Sequence, residues 1–183
     1  MEAIMPNRAH RAEEDSLEAF LADYTPDEAT FSLSTGDTPL LRVMLNPDLA
    51  ARLRIAERLL DDGADASVTL SSGLNALHLL FSNREHDLDG EAALVARLVA
   101  GGADANAVSK RQGPPLLAMI DSGMGSLPGV GVVIDAITES TTIDLEVLVN
   151  RRGRPRKTLR EEIATTDWRV PEVRARLGVP QQA

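Results

Sequence analysis

The sequence predicts an all-α protein built from successive pairs of helices. The main observation is an internal repeat: residues 59–67 read Leu-Leu-Asp-Asp-Gly-Ala-Asp-Ala-Ser, and residues 98–106 read Leu-Val-Ala-Gly-Gly-Ala-Asp-Ala-Asn. In both copies an apolar helical run ends at a glycine, which accepts the positive φ that commonly closes a helix. The two copies start 39 residues apart. A period of this length is typical of repeat architectures, in which each unit buries its apolar face against its neighbours.

A second motif precedes each of these endings. Gly-Asp-Thr-Pro-Leu-Leu occurs at 36–41, Gly-Leu-Asn-Ala-Leu-His at 73–78, and Arg-Gln-Gly-Pro-Pro-Leu-Leu opens a third unit at 111–117. The aligned leucines are 37 and 39 residues apart: Leu40, Leu77 and Leu116. In the first copy Thr38 can cap the free amides of a helix, and Pro39 stands at the first helical position, where a missing N–H does no harm.

Together these motifs resemble the ankyrin repeat, whose pattern runs Gly-x-Thr-Pro-Leu-His, two antiparallel helices, then Gly-Ala-Asp and a β-turn finger. The resemblance implies an ankyrin-type helix-turn-helix solenoid with short β-turn fingers, about three repeats and terminal capping helices. We expect a flexible N-terminus at 1–14 and a single domain at 15–183. The domain is expected to consist of an N-terminal cap at 15–35, three repeats at 36–72, 73–111 and 112–150, and a C-terminal cap at 151–183.

Apolar spacing predicts an inner and an outer helix in each repeat. The inner helices are expected at 40–45, 76–81 and 116–120. The outer helices carry apolar stripes at three- and four-residue spacing. The first outer helix is expected to start after Asn46, which would act as its cap, and to place Arg52 on its solvent side. Shorter helices are expected near 17–21, after Thr25, near 159–164 and at 171–177. The third repeat lacks the Gly-Ala-Asp ending and has Thr142-Ile143-Asp144 in its place.

Composition limits the classes of protein. No apolar run approaches the ~18 residues needed to cross a bilayer, so no membrane partner is expected. The first 15 residues contain no apolar segment of the signal-peptide kind and the chain has no cysteine, so a cytoplasmic location is expected. Residues 1–150 carry 10 Lys and Arg against 24 Asp and Glu, whereas residues 151–183 carry 9 against 4. The acidic part disfavours nonspecific nucleic-acid binding.

Three stretches hold the residue types of chemical sites, and each has a structural explanation. The ankyrin resemblance implies that His78 makes a hydrogen bond between neighbouring repeats. Glu85, His86, Asp87 and Asp89 lie in one connector and are expected to be solvated, not to bind a metal. The glycines at 123–129 miss the spacing of a dinucleotide turn and follow a predicted helix. We therefore expect no enzymatic activity, no cofactor and no small-molecule substrate.

The basic segment at 151–157 reads Arg-Arg-Gly-Arg-Pro-Arg-Lys and has two interpretations. Its Arg-Gly-Arg-Pro core resembles the AT-hook, an extended segment that binds the minor groove of A·T tracts. The repeat pattern instead makes Gly153 a finger turn and Pro155 the first residue of a helix. We favour the turn and keep a DNA-associated protein as the alternative function.

The resemblance implies a protein–protein interaction module, an adaptor or scaffold that binds a partner through its concave surface and finger tips. An inhibitor or immunity-type protein that masks a basic partner is one candidate, because acidic charge speeds such association. Val68, Leu70 and Leu79 are the candidate apolar anchors, with coverage by a neighbouring unit as the alternative. The full set of expected partner-binding residues is Arg42, Val68, Leu70, Leu79, Ser82, Lys110, Arg111, Ala118, Asp121, Arg151 and Arg152.

Overall fold

The computed structural model describes residues 5–149, 155–166 and 170–182, with side chains from His10 onward. Within these ranges the chain is mostly helical, which confirms the all-α prediction. Two short 3₁₀ helices cover Pro26–Thr30 and Met124–Ser126, and strands β1 (Leu148–Val149) and β2 (Lys157–Thr158) pair antiparallel. The α-helices are α1 (Met5–Glu14), α2 (Leu17–Asp23), α3 (Pro39–Val43), α4 (Leu49–Asp61), α5 (Ala76–Phe81), α6 (Leu88–Ala100), α7 (Pro115–Ser122), α8 (Gly131–Ser140), α9 (Leu159–Thr165) and α10 (Pro171–Leu177).

The helices pack in two rows. In the first row α1 contacts α3, α3 contacts α5, and α5 contacts α7. In the second row α2 contacts α4, α4 contacts α6, α6 contacts α8, and α8 contacts α10. The first row therefore contains the predicted inner helices and the second row the predicted outer helices.

Aliphatic side chains fill the core between the two rows. Phe20 and Phe81 are buried aromatic residues, and leucine, isoleucine, valine, alanine and methionine supply most of the remaining apolar packing. The apolar stripes that predict the outer helices point into this core, since burying aliphatic area is the main favourable term for such helices. None of the helices in the described ranges is both long enough and apolar enough to cross a membrane.

Side-chain caps fix the starts of several helices, and the predicted cap Thr38 is one of them. Ser16 accepts a hydrogen bond from the Ala19 amide, and Thr38 accepts one from the Leu41 amide with Pro39 at the first helical position. The prediction of Asn46 as the cap of α4 is wrong, because Asp48 caps this helix through the Ala51 amide. The Asn46 side chain is buried and binds other backbone groups instead.

Residues 5–14 form α1, although the sequence predicts a flexible segment at 1–14. Ala12 is buried against the core. The Asn46 Nδ2 donates to the carbonyl oxygens of Ala12 and Asp15 at 3.0 and 2.9 Å. Arg42 bridges Glu13 at 3.0 Å. These contacts come from α3 and the connector after it, so the short N-terminal sequence alone does not reveal them.

An aspartate-centred turn follows each long outer helix. The Oδ1 of Asp65 accepts the Ser67 amide at 2.8 Å, and the Oδ1 of Asp104 accepts the Asn106 amide at 2.8 Å. The third repeat departs from the Gly-Ala-Asp pattern in sequence, yet the Oδ1 of Asp144 accepts the Glu146 amide at 2.9 Å. The turn therefore depends on the aspartate, whose side chain bonds its own backbone two residues on.

Helices α9 and α10 match the two predicted C-terminal helices. The predicted helix start at Pro155 is wrong: Thr158 caps α9, with Glu161 completing the capping box. Strands β1 and β2 pair Leu148 with Thr158 and Val149 with Lys157. Because Lys157 and Thr158 are extended in this strand pair, the helix begins only at Leu159.

Candidate interaction surface

Three hairpin turns of similar geometry recur between the helix pairs. Each closes with an amide that donates to the carbonyl oxygen four residues on: Leu33 to Asp37 at 2.8 Å, Leu70 to Leu74 at 2.8 Å, and Ser109 to Gly113 at 2.9 Å. Gly36, Gly73 and Gly113 stand in these turns with positive φ, a conformation that glycine adopts without steric cost. We call these three turns the first, second and third finger turns.

The second and third finger turns touch each other directly. The Lys110 amide donates to the Ser72 carbonyl oxygen at 3.0 Å. A Cβ added at Gly73 would lie 2.6 Å from the carbonyl oxygen of Val108. The backbone approach at this point therefore requires glycine for space as well as for its φ of 85°.

An open cleft of about 520 Å³ lies where these two turns meet, and we call it the finger cleft. Its lining residues are Ser71, Ser72, Leu74, Ser109, Lys110, Arg111 and Gln112. Lys110 and Arg111, both predicted from the sequence as finger-tip residues, are exposed there. Ser71 and Ser72 were not predicted as binding residues, because the sequence alone does not show that successive turns are in contact.

The two cations of the finger cleft differ from most others in the protein. Arg42, Arg58 and Arg97 each lie within 3.0 Å of a carboxylate oxygen. Across the part of the chain that the structure describes, Lys110 and Arg111 form no ion pair. The oxygen Oε1 of Gln112 is buried, and within the same described ranges it has no hydrogen-bond partner. The cleft thus combines unpaired positive charge with a free acceptor.

The predicted inner-helix residues differ in their exposure. Ser82 and Asp121 are exposed at the C-terminal ends of α5 and α7. Arg42 is partly buried and bridges Glu13 and Asp37 at 3.0 and 2.7 Å. The prediction that Ala118 lies on the surface is wrong: its exposed fraction is 3%, so its methyl group is buried in the protein and does not face a partner.

The three candidate anchors Val68, Leu70 and Leu79 are half-buried and pack against the core. This is the alternative that the sequence left open, in which neighbouring units cover them. Other apolar side chains are more exposed: Leu45 is 38% exposed, Val108 47% and Leu148 57%. Val108 directly precedes the third finger turn, and Leu148 is the first residue of β1. Neither was among the predicted partner-binding residues.

Arg151 and Arg152 lie outside the described residues, as do Gly153 and Arg154. The described part of the basic segment contains Arg156, which is exposed, and Lys157, which belongs to β2. The Val149 side chain of β1 would lie 3.3 Å from a Cβ added at Gly113. The β1–β2 pair is therefore next to the third finger turn.

His78 joins two neighbouring helix pairs, as the sequence resemblance implies. Its Nε2 lies 2.9 Å from the Gly113 carbonyl oxygen, and its Nδ1 accepts the Asn75 amide at 3.3 Å. A carbonyl oxygen only accepts, so Nε2 carries the hydrogen. Burial lowers the pKa of His78, whereas the Gly113 hydrogen bond and the charge of Asp104 act in the opposite direction. The neutral imidazole therefore has a structural role.

A buried charged cluster connects α4 with α6. Arg52 is 1% exposed and Glu91 is fully buried. The His86 Nδ1 lies 2.9 Å from a carboxylate oxygen of Glu91, and its Nε2 lies 3.1 Å from the Asn83 carbonyl oxygen. The Arg52 guanidinium donates to the backbone oxygens of Asn46 and Glu85 at 3.1 and 2.6 Å and lies 3.5 Å from Glu91.

This cluster corrects two predictions. Arg52 was expected on the solvent side of α4, and His86 was expected in a solvated connector. Burial lowers the pKa of Arg52, and the charge of Glu91 offsets part of that effect. The cluster belongs to the packing between helices: among the described residues, no three His, Asp or Glu side chains are placed to hold a metal ion.

The glycine-rich stretch after α7 is not a dinucleotide turn. The apolar run before it is helical, and Met124–Ser126 form a 3₁₀ helix with Met124 and Gly125 buried. Gly125 is in close contact with the Val170 side chain. This stretch connects α7 to α8 and packs under α10.

Comparison with protein-family models and with curated proteins found no match to this chain.

Proposed function

We propose that this protein is an ankyrin-type repeat protein that acts in the cytoplasm as a protein–protein interaction module. Its binding surface is formed by the finger turns and the exposed C-terminal ends of the inner helices. The observation that carries the proposal is the direct contact between the second and third finger turns, with the Lys110 amide bonded to the Ser72 carbonyl oxygen. Turns joined in this way present one continuous edge of side chains to a partner.

The repeated geometry supports the ankyrin-type assignment. Helix pairs contact their chain neighbours in two rows, and similar finger turns follow at 33–37, 70–74 and 109–113. His78 links its own repeat to the next one, which is the role that the family pattern gives to this residue. Stacked units of this kind form long, continuous surfaces that suit extended protein partners.

Charge supports an inhibitor-like or immunity-type variant of the same function. The excess of acid in residues 1–150 favours fast association with a partner that is basic overall. The exposed residues Ser82 and Asp121 lie at the ends of neighbouring inner helices, where such a partner would cross the array.

The test is a capture experiment with the full chain, after nuclease treatment of the lysate. We would compare the native protein with the double variant Ser82→Arg/Asp121→Arg on the inner-helix ends. A matched control, Ala93→Arg/Glu139→Arg, makes the same change in charge at exposed positions of the outer helices α6 and α8. A stoichiometric protein retained by the control and lost by the inner-helix variant supports the proposal.

Two results would contradict it. Equal loss in both variants means that the inner-helix ends are not the binding surface. Binding that disappears on nuclease treatment alone indicates instead a DNA-associated protein that uses the basic segment at 151–157, because phosphate contacts dominate nucleic-acid affinity.

A further inference from the structure

We infer that the finger cleft binds an extended acidic segment of the partner protein, in which an Asp or Glu carboxylate is held by Lys110 and Arg111. The inference rests on the proposed interaction function and specifies the chemistry of the partner at one site. It concerns a local exception, because the surrounding residues 1–150 carry an excess of acid.

The first argument is unpaired charge. In an acidic chain most described arginines find an internal carboxylate, as Arg42, Arg58 and Arg97 do. Lys110 and Arg111 are adjacent and exposed, and in the described part of the protein they have no such partner. Guanidinium and ammonium groups bind carboxylates through short, charge-assisted hydrogen bonds. A carboxylate from another molecule is therefore the complementary ligand.

The second argument is a buried acceptor on Gln112, a residue that lines the cleft. Gln112 Oε1 is buried without a hydrogen-bond partner among the described residues, and an unsatisfied buried acceptor costs free energy of about 1–3 kcal/mol. A peptide backbone carries N–H groups that can satisfy it. A sugar-phosphate backbone carries no N–H donor, and a free dicarboxylate has none. The pairing of two cations with one free acceptor therefore favours a peptide over DNA or a small acid.

The third argument is the shape and lining of the cleft. Its volume of about 520 Å³ is within the range of pockets that hold drug-sized ligands, so it can receive a short stretch of chain. Leu74 supplies an apolar contact, and the hydroxyls of Ser71 and Ser72 supply further donors for carboxylate oxygens. The bond from the Lys110 amide to the Ser72 carbonyl oxygen fixes the two walls relative to each other, which lowers the entropy cost of binding.

The experiment measures fluorescence anisotropy of a labelled twelve-residue Asp/Glu/Ser peptide titrated with the full chain. The salt concentration is about 0.15 M, where a Debye length of about 8 Å screens the acidic body from the peptide. The reference peptide has Asn and Gln in place of Asp and Glu. We expect the acidic peptide to bind at least about tenfold more tightly than the amide peptide, a difference of about 1.4 kcal/mol.

Variants locate the binding. Lys110→Glu/Arg111→Glu is expected to weaken binding of the acidic peptide by at least about tenfold. The control Arg54→Glu/Arg84→Glu changes the net charge equally at exposed positions away from the cleft, and is expected to change affinity less than about twofold. Gln112→Ala is expected to weaken binding by about three- to tenfold through the lost acceptor. Equal urea midpoints for the variants would show that folding is intact.

Four outcomes would overturn the inference: no binding of the acidic peptide, equal effects of the two double variants, full displacement by succinate at the same carboxylate concentration, or tighter binding of an A·T-rich DNA duplex than of the peptide. The third result would make the cleft a small-acid site, and the fourth would make it a phosphate site. None of them depends on the inner-helix ends, so a partner lost through Ser82→Arg/Asp121→Arg would still support the proposed function.

Discussion

The imidazole Nε2 of His78 lies 2.9 Å from the carbonyl oxygen of Gly113, a residue of the next finger turn. The same ring accepts the Asn75 amide through Nδ1, and all three groups are buried. This side chain therefore satisfies the backbone of two neighbouring helix pairs at once. Its removal leaves the buried Asn75 amide without its partner and the Gly113 carbonyl oxygen with the Ser109 amide as its remaining donor.

Replacing His78 with alanine is expected to lower the free energy of unfolding by about 2–4 kcal/mol. The change leaves the buried Asn75 amide unsatisfied, which costs about 1–3 kcal/mol, and removes one of the two hydrogen bonds to the Gly113 carbonyl oxygen, worth about 0.5–1.5 kcal/mol. Urea denaturation followed by circular dichroism measures the loss. A loss below about 0.5 kcal/mol, the range of ordinary surface substitutions, would show that the His78 contacts are not structural.

The pH dependence of stability is expected to contain a His78 component. Burial lowers the pKa of this histidine in the folded protein, so between the folded and unfolded pKa values the unfolded chain binds more protons. Stability is then fully present above the unfolded pKa of about 6.5 and falls as the pH drops through it towards the lower folded value. Urea midpoints of the native protein and of His78→Gln from pH 8 to pH 5 isolate this component, since His10 and His86 remain in both. Parallel curves would contradict the prediction.

Gly73→Ala is expected to destabilise the protein more than Gly36→Ala. Both glycines have a φ close to 85°, so both substitutions incur backbone strain of order 1 kcal/mol. Only at Gly73 would the new Cβ also meet a backbone atom, the Val108 oxygen at 2.6 Å, whereas nothing lies within 4 Å at Gly36. Thermal unfolding of the two variants measures the difference. Equal melting temperatures would show that the second finger turn, which contains Gly73, is not in close contact with the third.

Arg52 and Glu91 are expected to be strongly coupled. Removing Glu91 alone, as Glu91→Leu, leaves Arg52 and His86 without their buried carboxylate, and breaking a buried ion pair in this way typically costs about 3–5 kcal/mol. The double variant Arg52→Met/Glu91→Leu is expected to lose less than the sum of the single variants, by more than about 1 kcal/mol. A double-mutant cycle in urea gives this coupling energy. Simple additivity would mean that the two groups do not interact.

Tyr24 is expected to ionise above its ordinary pKa. Burial raises the pKa of this phenol, and the hydrogen bond that it donates to Asp62 at 2.8 Å raises it further. It is the single tyrosine of the chain, so ultraviolet absorbance of the phenolate follows it alone. Asp62→Asn removes the negative charge, and the titration should then move to lower pH. The native and variant proteins are compared at pH values where circular dichroism shows that both are folded, and coincident curves would contradict the contact.

Local signals in the sequence were sufficient to predict most helices. Ser16, Thr38 and Thr158 cap helices through hydrogen bonds within three residues, and apolar spacing marks the face that each outer helix buries. Such features depend on neighbours in the chain and are visible without a structure. The helix at 76–81 was predicted at the bounds that the structure gives it.

Features that depend on distant residues were not predictable in the same way. The position of Arg52 on α4 predicts a surface residue, but its guanidinium contacts Glu91 from α6 and the backbone oxygen of Glu85. The local sequence predicts Asn46 as a helix cap, yet its side chain donates to the Ala12 carbonyl oxygen of α1. The finger cleft is likewise a product of contact between turns whose sequences, Leu-Ser-Ser-Gly-Leu at 70–74 and Ser-Lys-Arg-Gln-Gly at 109–113, have little in common.

The two-row packing described above has a mechanical consequence. Because the main contacts of the described helices join each pair to the pairs beside it in the chain, a force applied to the two ends loads these interfaces in series. The linkers at 62–75 and 101–114 are equal in length, so the released segments would be of similar size. Pulling on a single molecule should therefore give a saw-tooth extension curve, with one drop in force as each helix pair detaches.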